Sequence, residues 1–454
     1  MPEECFIREG EFIIQEKYFR DVIELRSCYK FLRAGPTKQV VYTHEISRVA
    51  IVTCGGLCPG LNVVIKSIVH VLEYEYGIKE IWGIKWGFRG FYEDFPKHWV
   101  ELSSQSVKDI HGIGGTVLGS SRGGFDAEKM IAALVEKNIT QLYVIGGDGT
   151  HRGLHALTEK MREKNIRISI CGIPKTIDND IPLIDKSFGF DTAVQESIKF
   201  INSAETEAES AENGIGIVRL MGRYCGFIAV AASLASRNVN ICLIPETYFQ
   251  LYGENGVYER IIERAKVRGH CLIVIAEGAE DGLIDSDKKI MRESLGIKEN
   301  RFDESGNVKN VDLAKFMVAD LAKYGKDRHG MNLTIKYLNP TYAIRTTPAN
   351  ASDADLCHRL AHTAVHSVQA GYTDFSIGMV RNYPALIPVE LLINQGQRQL
   401  KRRDPEWQRL IQSTGQPNFL NKSNMLDYLA KEKQRDIAAK EKYVCTKLEI
   451  LNKN

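Results

Sequence analysis

No apolar run in this 454-residue chain approaches the ~20 residues that a membrane-spanning helix needs. The opening MPEECFIREGEFIIQEKYFRD mixes charges and lacks the apolar core of a secretory signal. The closing KLEILNKN carries no recognisable organelle address. A cytoplasmic location, away from membranes, is the expectation. Net charge is also scarce. A balance of +2, from 59 basic and 57 acidic side chains, excludes bulk attraction to nucleic acid or another polyanion. Tandem repeats and low-complexity tracts are missing, which excludes repeat and linker-like architectures. The ten cysteines are scattered, and Cys171, Cys242 and Cys271 fall inside apolar segments, as buried free thiols of a reducing compartment do. Cys54 and Cys58 stand close together. No second Cys/His pair follows at ligand spacing, so a four-ligand structural zinc is not completed.

What is present is the pattern of a large globular enzyme, with 44% hydrophobic and 26% charged residues. From Arg48 onward, short apolar segments alternate with segments whose apolar residues recur at helical spacing. RVAIVTC, EIWGIKW, QLYVIGG and RISICGIP read as strands; LNVVIKSIVHVLEYEYG, EKMIAALVEKN and HRGLHALTEKMREK read as the helices between them. A second series follows. IGIVRLMG, NICLIPE, HCLIVIAEG and NLTIKYL are its strands, interleaved with helices such as YERIIERAKVRG and closed by DADLCHRLAHTAVHSVQAG. The fold class is therefore α/β, with two stacked, doubly wound, mainly parallel sheets and a cleft between them. The expected division is an N-terminal extension at 1–47, one α/β domain at 48–190, a second at 191–385 with an insertion at about 280–331, and a C-terminal helical extension at 386–454.

Chemistry-bearing residues gather where the strands end, which is where open α/β sheets hold ligands. Gly55-Gly56-Leu57-Cys58-Pro59-Gly60 joins a strand to a helix, a turn that suits an anion or simply needs glycine. It is not a Walker A loop, since no Gly-Lys-Ser/Thr closes it. Gly119-Ser120-Ser121-Arg122-Gly123-Gly124 sets an arginine among small residues, where its fork can reach phosphate. Gly146-Gly147-Asp148-Gly149-Thr150 places one acid among three glycines; a helix cap explains part of it but not all three glycines. Pro174-Lys175-Thr176-Ile177-Asp178-Asn179-Asp180 is the most specific. Thr176, Asp178 and Asp180 alternate at period two and would face one way in an extended segment. Close carboxylates beside a phosphate site imply a divalent cation. Met221-Gly222-Arg223 and Glu277 also follow strands, and Lys336, Tyr342 and Arg345 lie within ten residues. Together they point to Mg-dependent phosphoryl transfer with one carboxylate left over as base.

In this order the six segments resemble the phosphofructokinase family from about Arg48 to Asn382, most closely its long-chain, plant- and protist-type branch. The resemblance implies transfer of the γ-phosphoryl of Mg-ATP to the 1-hydroxyl of fructose 6-phosphate, with Mg2+ as cofactor and ATP as co-substrate, by a homotetramer. It also implies roles. Asp178 would be the general base. Asp148 would hold Mg2+ with help from Asp180. Thr176 would contact the sugar or the moving phosphoryl group, and Arg122 and Arg223 would stabilise that group's charge. Gly56, Gly149, Thr150, Gly153 and Lys175 would line the nucleotide phosphates, and Phe88 would flank the adenine. Met221, Gly222 and Glu277 would hold the fructose; Lys336, Tyr342 and Arg345 its 6-phosphate.

Gly214, Lys336 and Tyr342 replace an Arg, an Arg and a His of the bacterial members, so the subunit-bridging contacts of those enzymes do not carry over, and their effector site is not recognisable. The donor follows from Gly149. Pyrophosphate-dependent members carry Asp there, which would repel a nucleotide α-phosphate. Lys175, shared with pyrophosphate enzymes, points the other way but also occurs in long-chain ATP enzymes. A pyrophosphate enzyme is thus the same-fold alternative, and a catalytically silent subunit that binds sugar phosphate the alternative of another class. NAD kinase shares only the GGDGT motif.

Overall fold

The computed structural model describes residues 6–8, 10–15, 28–297, 310–426 and 429. These residues form thirteen strands: β1 (Phe12–Ile14), β2 (Lys30–Arg33), β3 (Val49–Thr53), β4 (Ile81–Ile84), β5 (Trp99–Glu101), β6 (Gln141–Gly146), β7 (Ser169–Pro174), β8 (Gly214–Leu220), β9 (Ile241–Leu243), β10 (His270–Ala276), β11 (Thr334–Leu338), β12 (Phe375–Val380) and β13 (Tyr383–Pro388). They divide into two compact units. The first takes the described residues up to Ala193 and Tyr342–Arg398; the second takes those from Val194 to Thr341 and from Gln399 onward.

The first unit holds a nine-stranded sheet in the order β1-β2-β13-β12-β7-β6-β3-β4-β5. Its centre, β12-β7-β6-β3-β4, is parallel, while β5 and the β13-β2-β1 edge run antiparallel. Every residue of β3, β6 and β7 is buried, which is why these strands read as unbroken apolar runs. Helices Leu61–Tyr74, Ala127–Glu136 and Asp148–Glu163 follow in turn. Val52, Ile84, Phe91, Leu134, Val144 and Leu154 belong to one core on this sheet. The chain goes from β3 outward to β4 and then returns to the other side of β3 with β6. That reversal leaves a crevice at the carboxyl ends of β3 and β6.

The second unit holds a four-stranded, fully parallel sheet in the order β11-β8-β10-β9. Ile217, Ile273, Tyr258 and Phe316 pack in a core formed with helices Val257–Arg268 and Leu313–His329.

The expected strands from RVAIVTC to NLTIKYL are all present, and the doubly wound α/β class is observed. The boundaries differ. Residues 342–385 were expected in the second domain, yet Tyr342–Arg398 folds with the first unit, because β12 pairs with β7 in the middle of the large sheet. The extension at 1–47 contributes β1 and β2 to that sheet's edge, and the described residues from Gln399 onward fold with the second unit, not as a separate extension. Of the expected insertion, helices Asp285–Ser294 and Leu313–His329 are described, whereas residues 301–309 of the polar stretch lie outside the described residues. So does the expected helical arm at 430–454.

Candidate active site

Four loops of the first unit meet at the carboxyl ends of β3, β6 and β7. The Gly55 amide donates to the Ser121 carbonyl at 3.0 Å, and the Ser120 hydroxyl donates to the Gly55 carbonyl at 2.6 Å. These bonds join the loop of Gly56 to the loop of Arg122. A Cβ at Gly56 would stand 3.9 Å from Arg122 Nη2, so the guanidinium lies directly beside that glycine. Lys175 continues β7. Its amide donates to the Gly146 carbonyl at 2.9 Å and its ammonium to the Gly56 carbonyl at 2.7 Å. The side chain is only 7% exposed, and burial holds its pKa below the usual lysine range, helped by the positive charges of Arg345 and Arg122. Arg345 is thereby placed beside the same loops.

The three polar side chains of the Thr176–Asp180 run are tied to one another. The Thr176 hydroxyl donates to Asp180 Oδ1 at 2.7 Å and accepts from the Asp178 amide at 3.2 Å. The run is a turn, not an extended strand. Asn179 adopts a left-handed φ of 59°, and its Oδ1 accepts from the Ser187 amide at 3.0 Å. Ser187 in turn donates to the Thr176 carbonyl at 2.7 Å. Asn179 and Ser187 are therefore the supports that sequence reasoning missed; the Asn in a left-handed turn was the available signal.

Asp180 is half-buried, and its desolvation pushes its carboxyl above the usual range. The Thr176 hydroxyl counters the rise, and the charge of Asp148 adds to it. A carboxylate whose ionisation is opposed by a second acid beside it suits a divalent cation, and oxygen-only donors suit Mg2+. Asp148 and Asp180 fit that ion. In their present arrangement Asp148 pairs with Arg152 one helical turn on, at 2.6 Å.

The GGDGT run is not a turn before a helix. Helix Asp148–Glu163 begins at Asp148 itself, with Gly147 as N-cap and no side-chain cap bond. Its first turn aims backbone amides at whatever lies above Gly149, and a Cβ built at Gly149 would meet nothing within 4 Å. Thr150 is buried against Gly146. His151 anchors this helix end: Nδ1 lies 2.9 Å from the Gly147 carbonyl and Nε2 3.0 Å from the Ser376 hydroxyl. Burial lowers its pKa, so it stands as a neutral positioning group that the sequence did not reveal. Gly153 packs under Phe88, whose ring a Cβ there would approach to 3.0 Å. Phe88 is only 6% exposed and belongs to the core; the open ring is Phe125, 40% exposed and in edge contact with Phe88. Cys54 and Cys58 are buried thiols pushed up to about 12, chiefly by burial, which keeps them protonated and unsuited to metal. Tyr342, in the short helix Thr341–Arg345, is 81% exposed.

In the second unit, Met221, Gly222 and Arg223 follow β8, and Glu277 follows β10. The Glu277 amide donates to the Leu220 carbonyl and the Gly278 amide to the Gly222 carbonyl, which locks the two strand ends together. Gly222 has a φ of 123°, a conformation that a side chain would strain. Glu277 Oε1 lies 3.5 Å from Arg219, and the Arg223 guanidinium lies over the Tyr224 ring at 5.4 Å. Lys336 does not join this group. It pairs with Gly216, four residues before the end of β8, and its ammonium is 3.1 Å from Glu207.

The phosphofructokinase family profile matches residues 48–368. The chain belongs to the phosphofructokinase family. ATP-dependent 6-phosphofructokinase 1 of Arabidopsis thaliana is 46% identical over 87% of this chain and 81% of its own length. The chloroplastic ATP-dependent 6-phosphofructokinase 4 of the same plant is 44% identical over 89% of this chain and 74% of its own. Among solved structures, a pyrophosphate-dependent phosphofructokinase from Nitrosospira multiformis superposes with a TM-score of 0.64 at 18% identity, covering 81% of this chain and 92% of its own. That likeness concerns the phosphofructokinase fold alone. No described helix of this family member is long and apolar enough to cross a membrane.

Proposed function

We propose that this phosphofructokinase transfers the γ-phosphoryl group of ATP to the 1-hydroxyl of fructose 6-phosphate, giving fructose 1,6-bisphosphate and ADP. The observation that carries the donor assignment is the open space above Gly149 at the start of its helix, beside the Asp148–Asp180 pair. A nucleotide's phosphates fit there; an aspartate side chain would fill that space with negative charge. The plant relatives, whose names state ATP dependence, support the same donor. Lys175 gives the pyrophosphate alternative no support, because its ammonium already serves the Gly56 carbonyl.

Asp178 takes the proton from the sugar hydroxyl as the oxygen attacks. Arg122 and Arg223 offset the charge on the transferring group, and Thr176 fixes the orientation of the Asp178–Asp180 run. Mg2+ held by Asp148 and Asp180 would neutralise charge on the donor phosphates. Gly56, Gly149, Thr150 and Gly153 shape the nucleotide region, with Phe88 acting from beneath Gly153. Met221, Gly222 and Glu277 hold the fructose, and Tyr342 and Arg345 its 6-phosphate. Lys336 is not assigned to that phosphate, since its ammonium pairs with Glu207 in its own chain.

On this reading the first unit binds nucleotide and the second the sugar, in a homotetramer. Seven of the eight described cysteines are buried, and none of the eight is joined to another described cysteine by a disulfide, which supports a reducing cytoplasmic location. Phosphorus NMR of the product formed from ATP and fructose 6-phosphate tests the reaction. New phosphate on O1 supports it; ATP hydrolysis with unchanged sugar overturns it. Light scattering tests the tetramer, and imaging of the tagged chain in its own cells tests the compartment.

A further inference from the structure

Glu75 closes helix Leu61–Tyr74 as its C-cap residue, and His362 and His366 lie one turn apart on helix Ala351–Gln369. His362 Nε2 is 2.9 Å from Glu75 Oε1, and His366 Nε2 is 3.6 Å from Glu75 Oε2. One donor atom from each of the three lies within 4.8 Å of the others. A tetrahedral ion with nitrogen and oxygen ligands at about 2.0–2.1 Å sets those ligands about 3.3 Å apart, between the two distances observed.

The two imidazoles are arranged as ligands. Tyr76 Oη lies 2.5 Å from His366 Nδ1, which fixes the ring and turns Nε2 toward Glu75. The His366 side chain is 0% exposed, and its Nε2 has no hydrogen-bond partner. A buried polar atom left so is costly unless something occupies the space before it. In two other groups, each of one histidine and two carboxylates, cations of the chain act on the carboxylates. Arg162 sits 3.4 Å from Asp374 in the group of His155, Glu159 and Asp374, and the charge of Arg264 acts on Glu205 in the group of Glu205, Glu209 and His270. Among the described residues, the ion pairs of Glu75 are with His362 and His366 alone.

We propose that Glu75, His362 and His366 form a binding site for Zn2+ or a similar borderline divalent ion, with water in the fourth position. Two imidazoles and one carboxylate are the donors such an ion prefers, and they differ from the oxygen donors that suit Mg2+. Glu75 and His362 are each about one-third exposed, which gives the ion and its water a route in. The ion would join the carboxyl ends of two helices that run side by side. The first helix starts at the nucleotide-side loop, where a Cβ on its N-cap Gly60 would come 2.6 Å from Cys357 Sγ of the second helix. About 21 Å of helix separates the two ends, so this site is distinct from the catalytic one.

The test uses the full chain, stripped by chelator and titrated with Zn2+ against a chromogenic competitor, with Mg2+ in excess to fill oxygen sites. One equivalent should bind tightly. His362→Ala, at a position about one-third exposed, should lower the association constant more than 100-fold, and Tyr76→Phe roughly 10–100-fold. His155→Ala should leave it unchanged. Co2+ in place of zinc should give tetrahedral visible bands that His362→Ala abolishes. Equal affinity in wild type and His362→Ala, or loss of binding in His155→Ala instead, overturns the assignment.

Discussion

The Lys175 ammonium donates to the Gly56 carbonyl at 2.7 Å, from a side chain that is almost wholly buried. A lysine at a phosphate site normally points at the phosphate. This one braces the loop that the phosphate is to meet. Lys175→Met keeps the volume and removes both the charge-assisted bond and the cost of burying the charge, terms of about 1.5–3 kcal/mol that oppose each other. Thermal stability should move little, while KM for ATP rises about tenfold as the Gly55–Gly60 loop loosens. Steady-state kinetics beside a melting curve separate the two; a large stability loss with normal KM would show that the lysine serves the core alone.

Asp178 should carry the proton transfer. Asp178→Asn keeps the shape of the run and its amide bond to Thr176 but cannot accept a proton. Turnover should fall by roughly 10²–10⁴ with KM for fructose 6-phosphate little changed. A mutant kcat near the wild-type value removes the base assignment.

Gly149→Asp separates donor choice from folding. The new side chain has room, and an acidic residue in the first turn of a helix stabilises it by about 0.3–1 kcal/mol. The melting temperature should hold or rise. ATP-supported kcat/KM should nevertheless drop at least about 100-fold, since the carboxylate stands where a nucleotide phosphate would lie. Unimpaired ATP use in a well-folded variant contradicts the placement of the donor.

Glu246 gives the second unit a pH signature. Burial raises its carboxyl from 4.5 to about 7, although the Gly226 and Leu400 amides donate to Oε1 at 2.9 and 3.0 Å. Between those pH values the folded chain keeps a proton that the unfolded chain has lost. The resulting stabilisation is complete below 4.5 and is lost as pH rises through 7. Its size is at most about 3 kcal/mol. Glu246→Gln should abolish it, so the variant should gain on wild type between pH 5 and 8 in urea unfolding. Parallel curves for the two proteins exclude a raised Glu246.

The central strands were legible because both faces of β3, β6 and β7 are buried and leave unbroken apolar runs. The β12–β13 hairpin was not. Its sequence, FSIGMVRNYPALIP, carries two prolines, and only pairing with β7 explains why Tyr342–Arg398 belongs to the first unit. For the proposed site, motif spacing singled out the acids, glycines and arginines, since those residue types have few other reasons to occupy strand ends. It misjudged depth and direction. Phe88 and Lys336 looked like ligand contacts, yet one is core and the other points at Glu207 from mid-strand. His151 and the pair His362 and His366 passed unnoticed, because their meaning lies in partners 225 and about 290 residues away.

The most direct test compares ATP with pyrophosphate as donors to fructose 6-phosphate on one preparation, reading fructose 1,6-bisphosphate formed per second. ATP should support turnover with a kcat/KM at least about 100-fold above that of pyrophosphate. A preference for pyrophosphate, or no product from ATP, contradicts the reading of Gly149 and of the chemistry built around Asp178.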